Sequence, residues 1–163
     1  AEISVRSAIT GHLVVSTLHT NDAISSIVRL ADMGVAPYLI SNSVVGIVAQ
    51  RLVRKVCQFC KYEEPATAED IAIVGDGIPM ITRGKGCKVC NNTGYKGRIS
   101  IHEMVYIDKT LKRMIARSAD SQEMLEYAKK TQGMRSLMDS AIDLVKEGVT
   151  TPEEVMKIAY YSD

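Results

Sequence analysis

Two pairs of cysteines constrain this chain more than any other feature of its sequence. Cys57 and Cys60 form one CxxC pair, Cys87 and Cys90 form the second, and the chain has four cysteines in all. Each CxxC turn brings two thiolates to one side of a tight loop, so two facing turns supply the tetrahedral sulfur shell that zinc prefers. The pattern predicts a structural metal site, because four protein thiolates leave no open coordination position.

The same cysteines allow other interpretations. Disulfides need an oxidising compartment, redox proteins normally carry a single CxxC at a strand-to-helix junction, and iron also binds thiolates. We favour zinc, partly because the small polar segment Asn91–Gly94 offers backbone amides that can hydrogen-bond the sulfurs. Four neighbouring lysines would partly offset the charge of a zinc tetrathiolate: Lys55, Lys61, Lys85 and Lys88.

The composition is that of a folded protein. The chain has 163 residues, of which 46% are hydrophobic and 24% charged, enough for one core with or without a small satellite. No run approaches the roughly 20 apolar residues of a membrane-spanning helix, and the start lacks a signal-peptide pattern, so we expect a soluble, cytosolic protein. There is no initial Met, and Glu2–Ile9 resembles a helix interior, so we expect part of the protein to lie upstream.

The charges are arranged in blocks although the net charge is only +1. Residues 46–61 contain four basic residues and no acid, whereas the chain after Ser118 has nine acids against five bases. Such blocks usually mark surfaces that meet each other or a partner, and only sometimes nucleic acid. We therefore expect no specific nucleic-acid ligand.

The first part of the chain has an α/β pattern. Helical residues up to Ile9 precede His12–Leu18, a short apolar run rich in β-branched residues that predicts a buried strand. The polar segment His19–Asp22 then precedes a helix with apolar residues at helical spacing up to Gly34. Because ligands of open α/β sheets bind after the carboxyl ends of strands, residues 17–22 are a candidate site loop.

The second part predicts a long hairpin followed by helices. Residues 44–56 form a candidate strand, which follows a short helix or turn that begins at Pro37. Residues 97–105 alternate between polar and apolar and form the candidate partner strand. All four cysteines lie between the two strands. Four amphipathic helices follow. The last has a capping box, with Thr151 as N-cap, Pro152 at the first helical position and Glu154 three residues after the cap.

Local motifs alone do not predict catalysis. The one Gly-Lys pair, Gly84-Lys85, is followed by Gly86 instead of Ser or Thr, so these residues contain no phosphate-binding P-loop. His19 follows the predicted strand and is a site candidate, with a structural histidine as the alternative.

A family resemblance adds to this picture. Residues 10–23, TGHLVVSTLHTNDA, resemble the histidine box of the ATPases of type II secretion and type IV pilus assembly. The match covers nearly the whole chain, and the tetracysteine insert is similar to the assembly or secretion branch, since the retraction branch typically lacks it. Further segments agree in order: Pro37–Ile40, Gln50–Cys57, Cys87–Ile99, Gly133–Leu137 and Gly148–Val155.

The resemblance implies an α/β fold, the carboxy-terminal part of a RecA-like P-loop ATPase domain with an inserted zinc module and a helical subdomain. The implied division is residues 1–56 for the core, 57–97 for the zinc module, 98–107 for the returning strand and 108–163 for the helical subdomain. The family's P-loop and acidic boxes would precede Ala1, so this chain alone would be inactive.

The resemblance also implies a function and its residues. The parent would be a homo-hexameric motor, cytoplasmic and peripheral to the inner membrane, that uses ATP and Mg²⁺ to act through a membrane platform protein. His19 matches the histidine near the γ-phosphate, and His12 and Thr17 would support its loop. Arg6, Arg29 and Arg98 are candidate phosphate or subunit contacts, or else solvated or salt-bridged arginines.

The cysteine pairs and the basic middle of the chain also allow a function that is not enzymatic. A zinc-ribbon adaptor without enzymatic activity could bind nucleic acid or protein through the basic middle of the chain. Against nucleic acid, the chain has one Phe and no Trp, so it lacks the basic and aromatic platform of single-strand binders.

Overall fold

The computed structural model describes residues 1–160, which form an α/β fold. The predicted α/β class is therefore confirmed. The elements in chain order are α1 Glu2–Ile9, α2 Ala23–Asp32, α3 Pro37–Ser43, β1 Gly46–Val56, β2 Lys61–Pro65, α4 Ala68–Val74, β3 Met80–Gly84, β4 Tyr95–Tyr106, α5 Lys109–Ala116, α6 Ser121–Gln132, α7 Leu137–Lys146 and α8 Pro152–Tyr160.

The predicted long hairpin is present. Strands β1 and β4 form a two-stranded sheet, and each extends within two residues of its predicted bounds. The chain divides into two compact units, residues 1–49 with 103–135 and residues 50–102 with 136–163, so both strands contribute residues to each unit.

The first unit is a small helical core. Helix α3 packs against α1, α2 and α5, and α2 also contacts α6. The side chains of Ile40 and Leu111 are fully buried here, and burial of such a side chain contributes about 1.5–3 kcal/mol. Helix α2 begins where the polar segment ends, because the Asp22 carboxylate accepts a hydrogen bond of 2.7 Å from the Ser25 amide.

The second unit contains a sheet that the sequence patterns did not predict. Strand β2 pairs with β3 antiparallel, with Lys61 opposite Gly84 and Pro65 opposite Met80. Helix α4 follows β2 and has a capping box formed by Thr67 and Asp70. Helix α8 packs against α4 and α7.

Arg83 on β3 links three elements of this second unit. Its guanidinium binds both carboxylate oxygens of Asp70 on α4, at 2.8 and 2.9 Å. It also forms ion pairs with Glu64 on β2 and Glu153 on α8. Asp70 is buried, and although burial opposes its charge, hydrogen bonds from Thr67 and Arg83 hold the pKa of its carboxyl below the ordinary value.

The predicted buried strand over His12–Leu18 is wrong. This segment has no regular secondary structure, and Leu13 and Val15 are 95% and 88% exposed. A strand requires a hydrogen-bonding neighbour, and no strand within residues 1–160 pairs with this segment. The β-branched residues of this segment give it a high strand propensity, but propensity alone does not produce a strand when no neighbouring strand pairs with the segment.

None of the helices within residues 1–160 combines the length and apolar character needed to cross a bilayer.

Candidate metal centre

The four cysteines lie on two turns at the ends of strands. Cys57 directly follows β1, and Cys60 directly precedes β2. Cys87 lies three residues after β3, and Cys90 ends a single 3₁₀ turn, Lys88–Cys90, that leads toward β4. In both turns the second cysteine donates its amide to the carbonyl of the first at 3.2 Å, so the two CxxC turns have matching local hydrogen bonds.

The turns bring all four sulfur atoms together. The Sγ atoms of Cys57 and Cys87 are 4.0 Å apart, those of Cys60 and Cys90 are 3.9 Å apart, and those of Cys87 and Cys90 are 3.7 Å apart. Four sulfurs bound to zinc at about 2.3 Å would be separated by about 3.8 Å at the corners of a tetrahedron. A disulfide requires about 2.05 Å, and all four cysteines are free. The cysteines are thus positioned to bind a metal ion.

Backbone amides support the sulfurs, as the sequence predicted for the second turn. The Cys87 amide donates to the Cys90 sulfur at 3.2 Å, and the Gly94 amide also hydrogen-bonds that sulfur. Asn91 and Asn92 have left-handed backbone angles, with φ of 51° and 60°, which turn the chain around Cys90. Such amide donors orient metal-binding thiolates and stabilise their charge.

The thiols differ in how readily they ionise. Burial opposes ionisation of Cys90, but hydrogen bonds from the Cys87 and Gly94 amides lower the pKa of its thiol to about 6. Burial raises the pKa of the Cys60 thiol to about 12. Thiolate is the form that binds metal, so the amide hydrogen bonds that favour the Cys90 thiolate also favour metal binding.

Two glycines let the chain segments that enter and leave the second CxxC turn meet backbone to backbone. A Cβ atom at Gly84 would lie 2.1 Å from the Gly94 carbonyl oxygen, and one at Gly94 would lie 2.6 Å from the Gly84 carbonyl oxygen. Side chains at these positions would force these two segments apart, which explains why glycine occupies both.

A second group of contacts holds the base of the cysteine turns to the segment between α7 and α8. The Cys57 amide donates to the Gly94 carbonyl, and the Val56 amide donates to the Val149 carbonyl, both at 2.9 Å. The Tyr95 hydroxyl hydrogen-bonds that of Thr151 at 2.8 Å, and Thr151 is buried. The metal centre and the start of α8 are therefore connected through short contacts.

Arg54 and Glu154 form the charged part of this connection. The Glu154 carboxylate accepts hydrogen bonds from the Arg54 amide and Nε, each at 2.9 Å, and the Arg54 guanidinium lies 3.9 Å from the centre of the Tyr95 ring. Helix α8 starts at Pro152 as predicted. The sequence analysis assigned Glu154 a capping role and did not predict its contact with Arg54. No local signal could reveal a pair separated by 100 residues.

The histidine segment is separate from the cysteines in the chain and has a different environment. His12, Thr17 and His19 all lie in the exposed, irregular residues before α2. His12 is held locally, with its Nδ1 atom 3.3 Å from the Ser7 carbonyl oxygen. These three residues lie along one segment of the first unit, whereas the cysteines belong to the second.

The residues that follow His19 are anchored more firmly. Thr20 hydrogen-bonds the buried Ser26 at 2.8 Å. The Ala23 amide donates to the carboxylate of Glu103 at 2.8 Å, and Glu103 is only 3% exposed. Sequence analysis did not identify Glu103. Its acidic side chain occupies a position of β4 where the alternation calls for an apolar residue, and this departure could have marked it as a buried acid.

The three candidate arginines are exposed to solvent. Arg6 forms a salt bridge of 2.7 Å with Glu2, one helical turn away, which matches the alternative of a salt-bridged arginine. Arg29 and Arg98 are also exposed, on α2 and β4 respectively.

Comparison with known proteins decides the family. A family model described as "Type II/IV secretion system protein" matches residues 1–157. This chain belongs to that family. The resemblance inferred from the histidine box and the tetracysteine insert is therefore confirmed.

Three relatives within the type II/IV secretion family illustrate the match. The chain is 44% identical to type II secretion system protein E of Pseudomonas aeruginosa and 42% identical to type II secretion system ATPase E of Vibrio cholerae, covering 97% of this chain and 32% of each relative. It is 40% identical to type IV pilus assembly ATPase PilB of Thermus thermophilus, covering 96% of this chain and 18% of that protein. The chain thus spans a third or less of these relatives.

The fold also resembles a solved structure, that of the pilus retraction motor PilT with bound ADP. The TM-score is 0.63 at 22% identity, and the similarity covers 96% of this chain and 35% of PilT. At this identity the similarity establishes the fold alone.

Proposed function

We propose that this chain is the carboxy-terminal portion of a motor ATPase that powers type II protein secretion or type IV pilus assembly. The observation that carries the proposal is the family match over residues 1–157, together with relatives that are themselves named secretion and pilus assembly ATPases. The α/β fold and its likeness to PilT are consistent with the carboxy-terminal part of a RecA-like domain.

In this proposal the complete protein holds the ATP site. The chain has no P-loop, because Gly84-Lys85 is followed by Gly86. Phosphate transfer in such motors depends on positioning the phosphates and Mg²⁺ and on stabilising charge, so a chain without that loop lacks most of the machinery. We expect no ATP turnover from this chain alone, and turnover by clean protein would contradict the proposal.

His19 is the residue proposed to act near the γ-phosphate. An imidazole can donate a hydrogen bond to phosphate oxygens, and the N–H form stabilises charge that develops during transfer. The contacts of Thr20 and Ala23 with buried Ser26 and Glu103 hold the residues that follow His19, so its backbone has a fixed point of attachment. His12 and Thr17 would support the same segment.

The proposed metal is structural zinc held by Cys57, Cys60, Cys87 and Cys90. The sulfur separations fit tetrahedral zinc, and thiolates are the ligands that zinc prefers. When bound, zinc supplies a crosslink between the two CxxC turns and no redox chemistry. The role of the chain's own residues is to present the sulfurs and to support them with amides.

The proposed assembly is a homo-hexamer, cytoplasmic and peripheral to the inner membrane, that acts on a membrane platform protein. The division into residues 1–56, 57–97, 98–107 and 108–163 remains our proposal for the organisation of the chain. Specific nucleic-acid binding is not part of it.

The test is ATP turnover by the complete protein with His19→Ala, with His102→Ala as the matched control. His102 is also an exposed histidine, but it lies on β4 outside the histidine box. Loss of one charge-stabilising group typically lowers kcat by about 100-fold or more, so we expect a loss of that order for His19→Ala alone. Equal activity of the two variants and the parent would contradict the assignment.

A further inference from the structure

Glu103 is an acidic residue in the core of the first unit. Its surface is only 3% exposed, and it lies on the same face of β4 as the fully buried Val105. A charge in such surroundings is costly unless hydrogen bonds compensate it. The Glu103 carboxylate accepts the amide of Ala23, the first residue of α2, at 2.8 Å. An apolar side chain would fill this place at lower cost, so a buried acid here indicates that the position requires an acceptor.

The first turn of α2 is bound by two carboxylates. The first amides of a helix have no partner within the helix. The Asp22 carboxylate accepts the third of them, that of Ser25, at 2.7 Å, and Glu103 accepts the first, that of Ala23. Both carboxylates also lie at the positive end of the helix, where negative charge is stabilising. One carboxylate thus comes from the histidine segment itself, and the other comes from β4.

The other contacts of the turn after His19 are local. Thr20 hydrogen-bonds the Ser26 hydroxyl at 2.8 Å, and that hydroxyl donates to the Asp22 carbonyl at 3.3 Å. These contacts span six and four residues, so they fix the shape of the turn without fixing its place against β4. The contact of Ala23 with Glu103 spans 80 residues and joins the turn to that strand.

We propose that Glu103 is a positioning residue for His19. It holds the start of α2 against β4 and so sets the place from which the His19 imidazole reaches the γ-phosphate. Ala23 lies only four residues after His19, so a shift of the Ala23 amide moves the attachment of the histidine. A misplacement of about 1 Å can lower the rate of an enzyme about 100-fold. This inference rests on the role proposed above for His19 and adds to it the residue that holds the histidine in place.

Two substitutions separate the hydrogen bond of Glu103 from its packing. Glu103→Met keeps the length of the side chain in the core but removes the acceptor, whereas Glu103→Gln keeps one neutral acceptor oxygen. In ATP turnover by the complete protein, we expect kcat to fall about 100-fold for Glu103→Met and about 10-fold for Glu103→Gln. The KM for ATP should change less than about 3-fold in both variants, because a residue this deeply buried does not touch the nucleotide.

Combination with His19→Ala tests whether Glu103 acts through the histidine. Effects of independent residues multiply, whereas effects that pass through one group do not. In the His19→Ala background, Glu103→Met should therefore lower kcat by less than about 3-fold. A general loss of structure would instead lower kcat by the same factor in both backgrounds. The same cycle is run with Glu103→Gln, which provides the answer if Glu103→Met does not fold in circular dichroism.

Asp108→Ala is the matched control. The Asp108 carboxylate also binds the start of a helix in the first unit, since it accepts the amides of Thr110 and Leu111 on α5, both at 2.9 Å. Its removal should lower the thermal stability, as loss of a helix cap does, and leave kcat within about 2-fold of the parent. The control thus separates the loss of a helix cap from the loss of His19 placement.

Several outcomes would overturn the proposal while leaving the role of His19 intact. These are a loss for His19→Ala with none for Glu103→Met, losses that multiply in the double variant, or an equal loss of kcat for Asp108→Ala. If His19→Ala itself leaves turnover unchanged, the proposed function of His19 fails, and the positioning role of Glu103 fails with it.

Discussion

Removal of the Glu154 carboxylate should destabilise the second unit strongly, although Glu154 lies in no candidate site. Its side chain is only 5% exposed and accepts hydrogen bonds from the Arg54 amide, from the Arg54 guanidinium and from Lys157. Hydrogen bonds to charged groups contribute about 1.5–3 kcal/mol. Since the Arg54 side chain is 43% exposed, water can replace its guanidinium contacts, and the unpaired Arg54 amide carries most of the loss.

We therefore expect Glu154→Ala to lower the free energy of unfolding by about 2–3 kcal/mol. For a domain of this size, 1 kcal/mol shifts Tm by about 2–4 °C, which gives a decrease of about 4–12 °C. Glu154→Gln keeps one acceptor oxygen and the side-chain volume, so about half of that loss is expected. Thermal unfolding followed by circular dichroism at pH 7 measures both values.

The pH dependence provides an independent check on the same contact. Burial opposes ionisation of Glu154, but Arg54 and Lys157 outweigh it and hold the pKa of the carboxyl below its ordinary value of 4.5. A carboxyl with a lowered pKa in the folded state stabilises above its unfolded pKa and loses that contribution as pH falls through the folded pKa. The difference between the parent and Glu154→Gln should thus be full at pH 7 and shrink below about pH 4.

The control is Glu126→Gln, a change on α6 at a carboxylate that accepts a hydrogen bond from the exposed Gln122. Such surface contacts contribute less than about 1 kcal/mol. If Glu154→Ala unfolds at the temperature of the parent, or if Glu126→Gln loses as much, the argument from burial and amide pairing is refuted.

The metal centre leads to further predictions. Native mass spectrometry should find one zinc ion per chain, and Cys60→Ser should abolish it; a chain with paired disulfides and no metal would instead exclude the zinc site. Chelation of the metal should increase hydrogen exchange in both CxxC turns, and unchanged exchange would show that the turns do not need it. Gly84→Ala should cost about 1–3 kcal/mol or more because of its 2.1 Å approach to Gly94; Gly46→Ala, with 3.4 Å to its nearest neighbour, is the tolerated control.

Features with local signals were predictable from the sequence. The two CxxC pairs indicated a four-sulfur cluster because each pair needs only one turn to align its thiols, and the structure confirms the cluster. Helix α2 and the strands β1 and β4 were predicted from apolar spacing and from residues that cap or end an element.

Features that depend on distant partners were not predictable. Strand β2 reads KYEEP, which has no alternation of apolar residues from which a strand could be predicted. Its ladder with β3 and the ion pair between Glu64 and Arg83 hold it in place. Helix α4 is different, because the capping box of Thr67 and Asp70 is a local signal from which its start could have been predicted. Residues 12–18 show the reverse case, in which strong strand propensity without a neighbouring strand leaves apolar side chains exposed.

The two candidate sites differ in what each requires from the chain. Metal binding needs four sulfurs from two short turns, and all four lie within 4.8 Å of one another, so every ligand is supplied within residues 57–90. In the function that we propose, ATP hydrolysis needs a phosphate-binding loop beside His19, and these 163 residues contain none. Zinc binding should therefore be a property of this chain by itself, whereas ATP turnover should appear only in a longer protein that adds the loop.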